Sequence, residues 1–381
     1  MYIPRHQLTT IEQLLRPNKV VVIYGPRRSG KTTLVKKFLE GREQPYLLVS
    51  GEDDSVQRTL SSRSIPKLRD FVGKTKLLVI DEAQRIDQVG LNLKLIVDHL
   101  EGVSVLATGS SSFDLARDVG EPLTGRRFVL TLYPLAQLEI GQAEPRHETE
   151  ANLESRLIYG SFPEVAVSHD NREREAVLLE MASSSLFKDI FALEGIRHSN
   201  KLMRLLRLLA FQIGHEVSYN ELGTQLGMSK NTVDRYLDLL EKAFVIRRIP
   251  GFSRNLRKEV SKNPRYCFLD NGIRNAVIRN FNSLDMRDDV GMLWENYIVM
   301  ERLKAQECLQ IPANNYFWRT YDRKEIDWIE ERGGKLHGYE IKWSQTQAKR
   351  PQEWLDSYKN ASYSLIHRGN YLDFVTGPGT K

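Results

Sequence analysis

The amino-acid sequence predicts an α/β protein: a parallel sheet with helices on both faces, followed by a helical stretch and a second mixed unit. Three observations carry this. From Lys19 to about Ala143, short apolar runs (Val20 to Tyr24, Tyr46 to Val49, Leu77 to Ile80, Val103 to Ala107, Phe128 to Leu132) alternate with amphipathic stretches. That is the pattern of buried parallel strands joined by helices. A glycine-bounded turn, Gly25 to Gly30, separates the first apolar run from a helix beginning near Thr33. Towards the carboxyl end two strand-like segments flank Gly333-Gly334, a dipeptide suited to a two-residue hairpin loop.

The stretch Glu144 to Ala151 reads as a connector leaving the first sheet, and helical periodicity dominates from Asn152 to Gly214. At 381 residues, and roughly 150 residues per domain, two or three folded units are expected. With 41% hydrophobic and 27% charged residues the balance is that of an ordinary globular protein and excludes wholesale disorder. No apolar run approaches the ~20 residues of a membrane span, and the amino terminus lacks a signal-peptide apolar segment, so a cytoplasmic protein without a membrane partner is expected. Cys267 and Cys308 have no partners at metal-ligand spacing and read as reduced, buried thiols. The net charge of +6 is concentrated: Arg247, Arg248, Arg254, Arg257, Lys258, Lys262 and Arg265 face only Glu259 as an acid in that stretch. Such a local field suits phosphates.

The run Gly25-Pro26-Arg27-Arg28-Ser29-Gly30-Lys31-Thr32, continued by Thr33, fits GxxxxGK[ST] between a strand and a helix. Its glycines let successive backbone N–H groups turn toward one anion, the helix start adds partial positive charge, and Lys31 reaches the terminal phosphates. Thr32 is expected to place its hydroxyl on Mg²⁺. The apolar strand Leu77 to Ile80 ends in Asp81-Glu82; Asp81 would hold the Mg²⁺ through water, and Glu82 would orient and deprotonate the attacking water. A third strand ends in Thr108-Gly109-Ser110-Ser111-Ser112, where Thr108 or Ser110 either senses the terminal phosphate or caps a helix. Arg126 and Arg127 are candidates for a finger reaching a neighbouring subunit's nucleotide.

Farther on, Ser218 to Glu221 forms a capping box, Gly227 ends that helix, and Ser229 caps a second one with Val233, Leu237 and Leu240 on its apolar face. This is helix-turn-helix spacing. Lys230, Asn231, Asp234 and Arg235 fall on or beside the opposite face, where a recognition helix meets base edges. The strand Phe244 to Ile249 and the basic stretch to Arg265 read as a wing touching phosphates. Interdomain packing is the alternative, because Asp234 and Asp238 suit a phosphate surface poorly.

Around Gly333-Gly334, pairing Arg332 with Lys335 puts Asp327 opposite Glu340 and Glu325 opposite Lys342. Opposed like charges are destabilising unless neutralised. One reading is therefore a metal site in which Asp327 and Glu340 hold Mg²⁺ or Mn²⁺, Glu295 adds a ligand, and Lys342 steadies an attacking water in phosphodiester cleavage. The other is a structural acidic pair.

Together these motifs, with Asp81-Glu82-Ala83-Gln84, Leu123-Thr124-Gly125-Arg126, Tyr159 to Glu164, Lys188-Asp189-Ile190, Phe268 to Ile273, Glu325-Ile326-Asp327 and Glu340-Ile341-Lys342, resemble the prokaryotic AAA-type P-loop ATPases ending in domain of unknown function 4143. The resemblance covers nearly the whole chain. It implies an AAA-type ATPase domain (1–143), a helical connector (144–205), a winged helix (206–265) and a restriction-endonuclease-like α/β domain (266–381). It also implies ATP and Mg²⁺ as cofactors. One departure stands out: Ile326 occupies the position before Asp327 where the nuclease superfamily usually has proline. The functional expectation is an ATP-hydrolysing protein that engages DNA, forms homo-oligomers and carries a nuclease-like terminal domain. The alternative is a nucleotide-controlled switch or scaffold that binds DNA or protein without cutting.

Overall fold

The computed structural model describes residues 2–110, 123–185, 199–253, 263–320, 324–344, 347 and 350–377. The first unit comprises α1 (Gln7–Leu14), β1 (Val20–Tyr24), α2 (Lys31–Leu39), β2 (Tyr46–Ser50), α3 (Asp54–Leu60), α4 (Ile65–Val72), β3 (Leu77–Asp81), α5 (Val89–His99), β4 (Ser104–Gly109) and β5 (Arg127–Thr131). Every pairing is parallel, in the order β2-β3-β4-β1-β5. The central strands read as unbroken apolar runs because both faces are covered. Val20, Val22, Ile80 and Val105 pack in the core under α3 to α5, while Val21, Ile23, Val79 and Leu106 pack with α1 and α2. Because the strands run in one direction, β1, β3 and β4 deliver their following loops to one edge of the sheet. β4 lies between β1 and β3, so its end separates the glycine-bounded loop from Asp81.

The chain continues through α6 (Gln137–Ile140), α7 (Arg146–Ala151), α8 (Leu153–Tyr159), α9 (Pro163–Val167), α10 (Asn171–Glu180), α11 (Ser199–Phe211), α12 (Tyr219–Leu226), α13 (Lys230–Lys242), β6 (Ile246–Ile249), β7 (Arg265–Phe268) and α14 (Asn271–Ile278). The caps fall where the sequence places them. Ser218 Oγ accepts from the Glu221 N–H, Gly227 closes α12 in the left-handed region, and Ser229 Oγ accepts from the Thr232 N–H. One hydrophobic core runs from Ile158 to Val277, crossing the boundaries expected at 205 and 265. Connector and helix-turn-helix are therefore a single packed body, to which α14 also belongs. Gly160 is obligatory there: its φ is +74°, and a Cβ would lie 1.9 Å from Asp270 Oδ1. That close approach lets Asp270 Oδ2 accept from the Ser161 N–H at 2.7 Å.

The last unit contains α15 (Val290–Cys308), β8 (Asn314–Arg319), β9 (Glu325–Arg332), β10 (Lys335–Ile341), α16 (Gln352–Ser357), β11 (Ala361–Ile366) and α17 (Tyr371–Thr376). Its sheet has the order β11-β10-β9-β8; only β10 and β11 pair in parallel. Gly333 and Gly334 both have positive φ, 56° and 73°, as a type I′ loop requires. The hairpin register, Arg332 with Lys335 through Trp328 with Tyr339, is the one the sequence gives. Among the described residues no helix is long and apolar enough to cross a membrane, and both cysteines are buried and free.

Helix α15 also touches the end of the first unit and the segment that follows it. Glu307 Oε1 accepts from the Thr131 N–H at 2.7 Å and Glu301 Oε2 from the Gln137 N–H at 2.6 Å. Lys304 Nζ donates to Leu135 O at 3.1 Å and Ser161 Oγ at 2.8 Å.

At the start of α15, Asp289 sits between Arg274 and Arg287. Burial pushes its carboxyl upward, but hydrogen bonds and charge from the two guanidinium groups outweigh this and hold it below the usual aspartate range. A depressed folded pKa contributes stability above the unfolded value, about 3.9, that is lost as pH falls through the folded value. Asp289→Asn is expected to cost about 3–5 kcal/mol at pH 7, because two cations lose their partner. Its melting temperature should also fall less than that of the wild type between pH 5 and pH 2.5. Parallel pH profiles of melting temperature would contradict this.

Candidate functional site

The loop after β1 is shaped by its two glycines. A Cβ on Gly25 would lie 2.2 Å from the Leu132 carbonyl oxygen, so only glycine lets the loop pass so near that backbone. Gly30 has φ +94° and opens α2, and Arg28 between them has φ +62°. Lys31 Nζ donates to the carbonyls of Gly25 and Pro26, each at 2.9 Å, which keeps the ammonium over the loop. Ser29 is fully buried, and its hydroxyl has no hydrogen-bond partner among the described residues.

Beside the loop, Asp81 is held by two hydroxyls. Thr32 Oγ1 donates to Asp81 Oδ2 at 2.7 Å and Thr108 Oγ1 donates to Asp81 Oδ1 at 2.5 Å. Thr108 Oγ1 also accepts from the Glu82 N–H at 3.1 Å. Glu82 has φ +53°, a costly conformation for a non-glycine residue, and Gln84 Nε2 reaches both its carboxylate at 2.5 Å and Ser110 Oγ at 3.0 Å. Thr108 thus connects β4 to Asp81, while Ser110, just past β4, meets Glu82 only through Gln84. Ser111 and Ser112 lie outside the described residues. The Thr32 hydroxyl and Asp81 carboxylate are both hard oxygen donors, a set that fits Mg²⁺.

A cavity of about 540 Å³ is lined by Arg27, Arg28, Lys31, Thr32, Thr33 and Glu82, together with Pro163, Glu164 and Glu180. Arg28 pairs with Glu164 at 3.6 Å and Glu180 at 2.5 Å. An adjoining cavity of about 220 Å³ is walled by Tyr2, Ile3, Leu135, Pro163 and Val167. Arg5 also lines this smaller cavity; it donates to the Ser29 carbonyl at 2.9 Å and the Tyr133 carbonyl at 2.6 Å, and pairs with Glu139 at 3.0 Å. Sequence reading missed Arg5 and gave Gln84 no role. Nothing in the spacing of a lone arginine signals such a contact; Gln84 was visible two residues after Glu82.

Arg126 and Arg127 are not brought to their own chain's loop. Arg127 pairs with Val20 at the start of β1, a full strand away, and Arg126 binds Asp98 and the Thr124 carbonyl.

On α13, Lys230, Asn231, Asp234 and Arg235 are exposed while Val233, Leu237 and Leu240 are buried. Arg247 and Arg248 are exposed on β6. Arg254, Arg257, Lys258 and Lys262 lie outside the described residues. The expectation that Arg265 faces phosphates is corrected: it is 5% exposed, because β7 is buried along its whole length.

Arg265 enters the terminal carboxylate group instead. It pairs with Glu325 at 3.0 Å, Glu295 at 3.3 Å and Asp327 at 3.9 Å. Lys342 Nζ lies 2.7 Å from Glu340 and 3.2 Å from Asp327, so its partners are these two rather than Glu325, which faces Arg265. Asp327 Oδ2 further accepts from the Ile341 N–H at 2.8 Å. The sequence brings Glu295, Asp327, Glu340 and Lys342 to one place, but it gave no sign of the arginine among them. Burial and the Asp327 charge push Glu295 up to about 8 against the pull of Arg265; burial and Asp327 likewise raise Glu340. Burial would lower Lys342, but Asp327 and Glu340 raise it. Among the described residues no group of three or more His, Cys, Asp or Glu side chains is placed to hold a metal. The donor set as arranged does not fit a divalent ion: each carboxylate is already engaged by a cation of the chain.

A parallel sheet of this order, with a phosphate loop after β1 and paired carboxylates ending β3, defines a P-loop nucleotide-binding fold. Family models match in three blocks: an AAA domain over residues 17–141, domain of unknown function DUF8612 over 150–284, and domain of unknown function DUF4143 over 290–374. The chain thus carries an AAA-type P-loop ATPase domain at one end and a DUF4143 domain at the other. The middle block brackets the single core from Ile158 to Val277. Uncharacterized proteins of Mycobacterium tuberculosis and Mycobacterium bovis are each 29% identical over 347 residues, covering 90% of this chain and 74% of theirs. One from Methanocaldococcus jannaschii is 24% identical, covering 84% of this chain and 74% of the relative. Among solved structures, the Signal Transduction ATPase with Numerous Domains protein with a tetratricopeptide repeat sensor from Pyrococcus horikoshii aligns at 15% identity and TM-score 0.28. It covers 81% of this chain, which spans about half (48%) of that protein. The Thermotoga maritima RuvB Holliday junction branch migration motor aligns at 17% identity and TM-score 0.30, over 64% of this chain and 88% of its own.

Gly25→Ala tests the loop geometry. The added methyl displaces the loop from Leu132, and affinity for ATP, measured by calorimetry, is expected to fall at least about 100-fold, or about 2.7 kcal/mol. Wild-type affinity in the variant would contradict the stated packing.

Proposed function

We propose that this protein hydrolyses ATP at the loop after β1 and uses the cycle to change its grip on DNA, which it holds without cutting. The observation that supports the hydrolytic part is Glu82 itself, which lines the cavity with Lys31 and Thr32, has φ +53° and accepts a hydrogen bond from the Gln84 amide. The adenine base enters the apolar cavity of Tyr2, Ile3, Leu135, Pro163 and Val167. The loop N–H groups and Lys31 take the phosphates. Thr32 and Asp81 would hold Mg²⁺, which would supply charge neutralisation to the triphosphate. Glu82 orients a water and accepts its proton as the water oxygen bonds to the γ-phosphorus. The bond from that phosphorus to the bridging oxygen breaks, and ADP leaves.

Transmission to DNA rests on shared walls. Glu164 on α9 and the Glu180 end of α10 border the nucleotide cavity, and their body includes α13. In this reading the winged helix presents Lys230, Asn231 and Arg235 to the groove, with Arg247 and Arg248 toward phosphates. Assembly of copies would let Arg126 or Arg127 approach a neighbour's nucleotide. Cleavage is left out because Arg265 and Lys342 already engage the carboxylates that a nuclease needs free.

Two measurements test this. Glu82→Gln is expected to retain ATP binding while phosphate release falls about 10²–10⁴-fold; equal rates would reduce the protein to a nucleotide-binding switch. Neutralising Arg235, Arg247 and Arg248 together should weaken DNA binding and flatten its salt dependence by about 0.9 in log–log slope for each lost phosphate contact. An unchanged slope would move the DNA surface elsewhere.

A further inference from the structure

We infer that Arg265 is the resident cation of the terminal carboxylate group, standing where a nuclease fold would hold a divalent metal. The group is then a metal-excluding joint between the helix-turn-helix body and the terminal sheet. This goes beyond the ATPase reading and does not depend on it.

The argument begins with strand direction. β7 pairs with β6 through Ile249 and Arg265, and Arg265 also bridges to Glu216, so the backbone of this arginine is fixed on both sides. Its side chain, 6% exposed, turns inward across the ring of Phe317, with Cζ 4.5 Å from the ring centroid. There the guanidinium meets three carboxylates contributed by two elements: Glu295 from α15, and Glu325 and Asp327 from β9. Lys342 occupies the remaining side, between Asp327 and Glu340.

A magnesium-sized ion requires oxygens at about 2.0–2.1 Å in near-octahedral order. Asp327 cannot supply one without losing a partner, since Oδ1 faces Arg265 and Oδ2 receives the Ile341 N–H and Lys342. A guanidinium does not shed its proton to make room. Nor does it leave cheaply, because withdrawal would strand buried carboxylates. A second cation arriving beside it would be repelled at close range in a poorly screened site. The consequence is mechanical: β7 belongs to the body carrying α13, while α15 and β9 belong to the terminal unit, so Arg265 ties the two together.

The probe is Mn²⁺ alone, counted by electron paramagnetic resonance without nucleotide. Comparing chains with and without Asp327→Asn subtracts any ion held at the phosphate loop. Wild type and Asp327→Asn are expected to bind equal amounts. Arg265→Gln is expected to gain about one Mn²⁺ per chain, lost again in Arg265→Gln/Asp327→Asn. Arg265→Lys, which keeps the charge, should gain none. An Asp327-dependent Mn²⁺ in the wild type overturns the inference, and so does a folded Arg265→Gln that gains no ion. Should Arg265→Gln fail to fold, the wild-type comparison decides alone.

Discussion

Everything at the nucleotide site depends on one carboxylate and the two hydroxyls that grip it. Asp81, Thr32 and Thr108 come from three separate parts of the chain, and only the interleaved strand order puts them within hydrogen-bond distance. The parallel sheet is therefore the device that converts dispersed polar residues into one oxygen-lined corner. Its apolar strands supply rigidity, while their ends supply chemistry. Glu82 inherits its position from the same contact, because its backbone N–H donates to the hydroxyl that holds Asp81.

The three blocks of the chain are not beads on a string. The segment from Thr131 to Gln137 leaves the sheet next to the phosphate loop, and its backbone is bonded to Glu307, Lys304 and Glu301 of α15. At the other end of that helix Glu295 meets Arg265. A displacement of the loop thus has a continuous path of buried hydrogen bonds and ion pairs to the terminal sheet.

Much of this was legible in the chain itself. The strand-loop-helix context of Gly25 to Thr32, the apolar strand ending in Asp81-Glu82, and the Gly-Gly hairpin register are local patterns, and local patterns survive folding. The helix caps at Ser218 and Ser229 are local too. What could not be read was long-range. Arg5 binds Ser29 and Glu139, and Arg265 binds residues 30 to 62 positions away. Arg265 was assigned to a basic wing because the surrounding stretch is basic. Burial of β7 then reversed its role from phosphate contact to internal counter-ion. The core that the connector and helix-turn-helix segments share was hidden for a related reason: helical periodicity reports which face is apolar, not which neighbour covers it.

The central claim is that Thr32 and Asp81 form the metal side of a triphosphate site. Titrating ATP calorimetrically with and without Mg²⁺, for the wild type, Thr32→Val, Asp81→Asn and the double variant, tests it most directly. Mg²⁺ should tighten ATP binding to the wild type. Either single substitution should abolish that gain, with the double variant no worse than the single ones. Absence of any ATP binding by the wild type, or a gain from Mg²⁺ that survives in the double variant, would contradict the account.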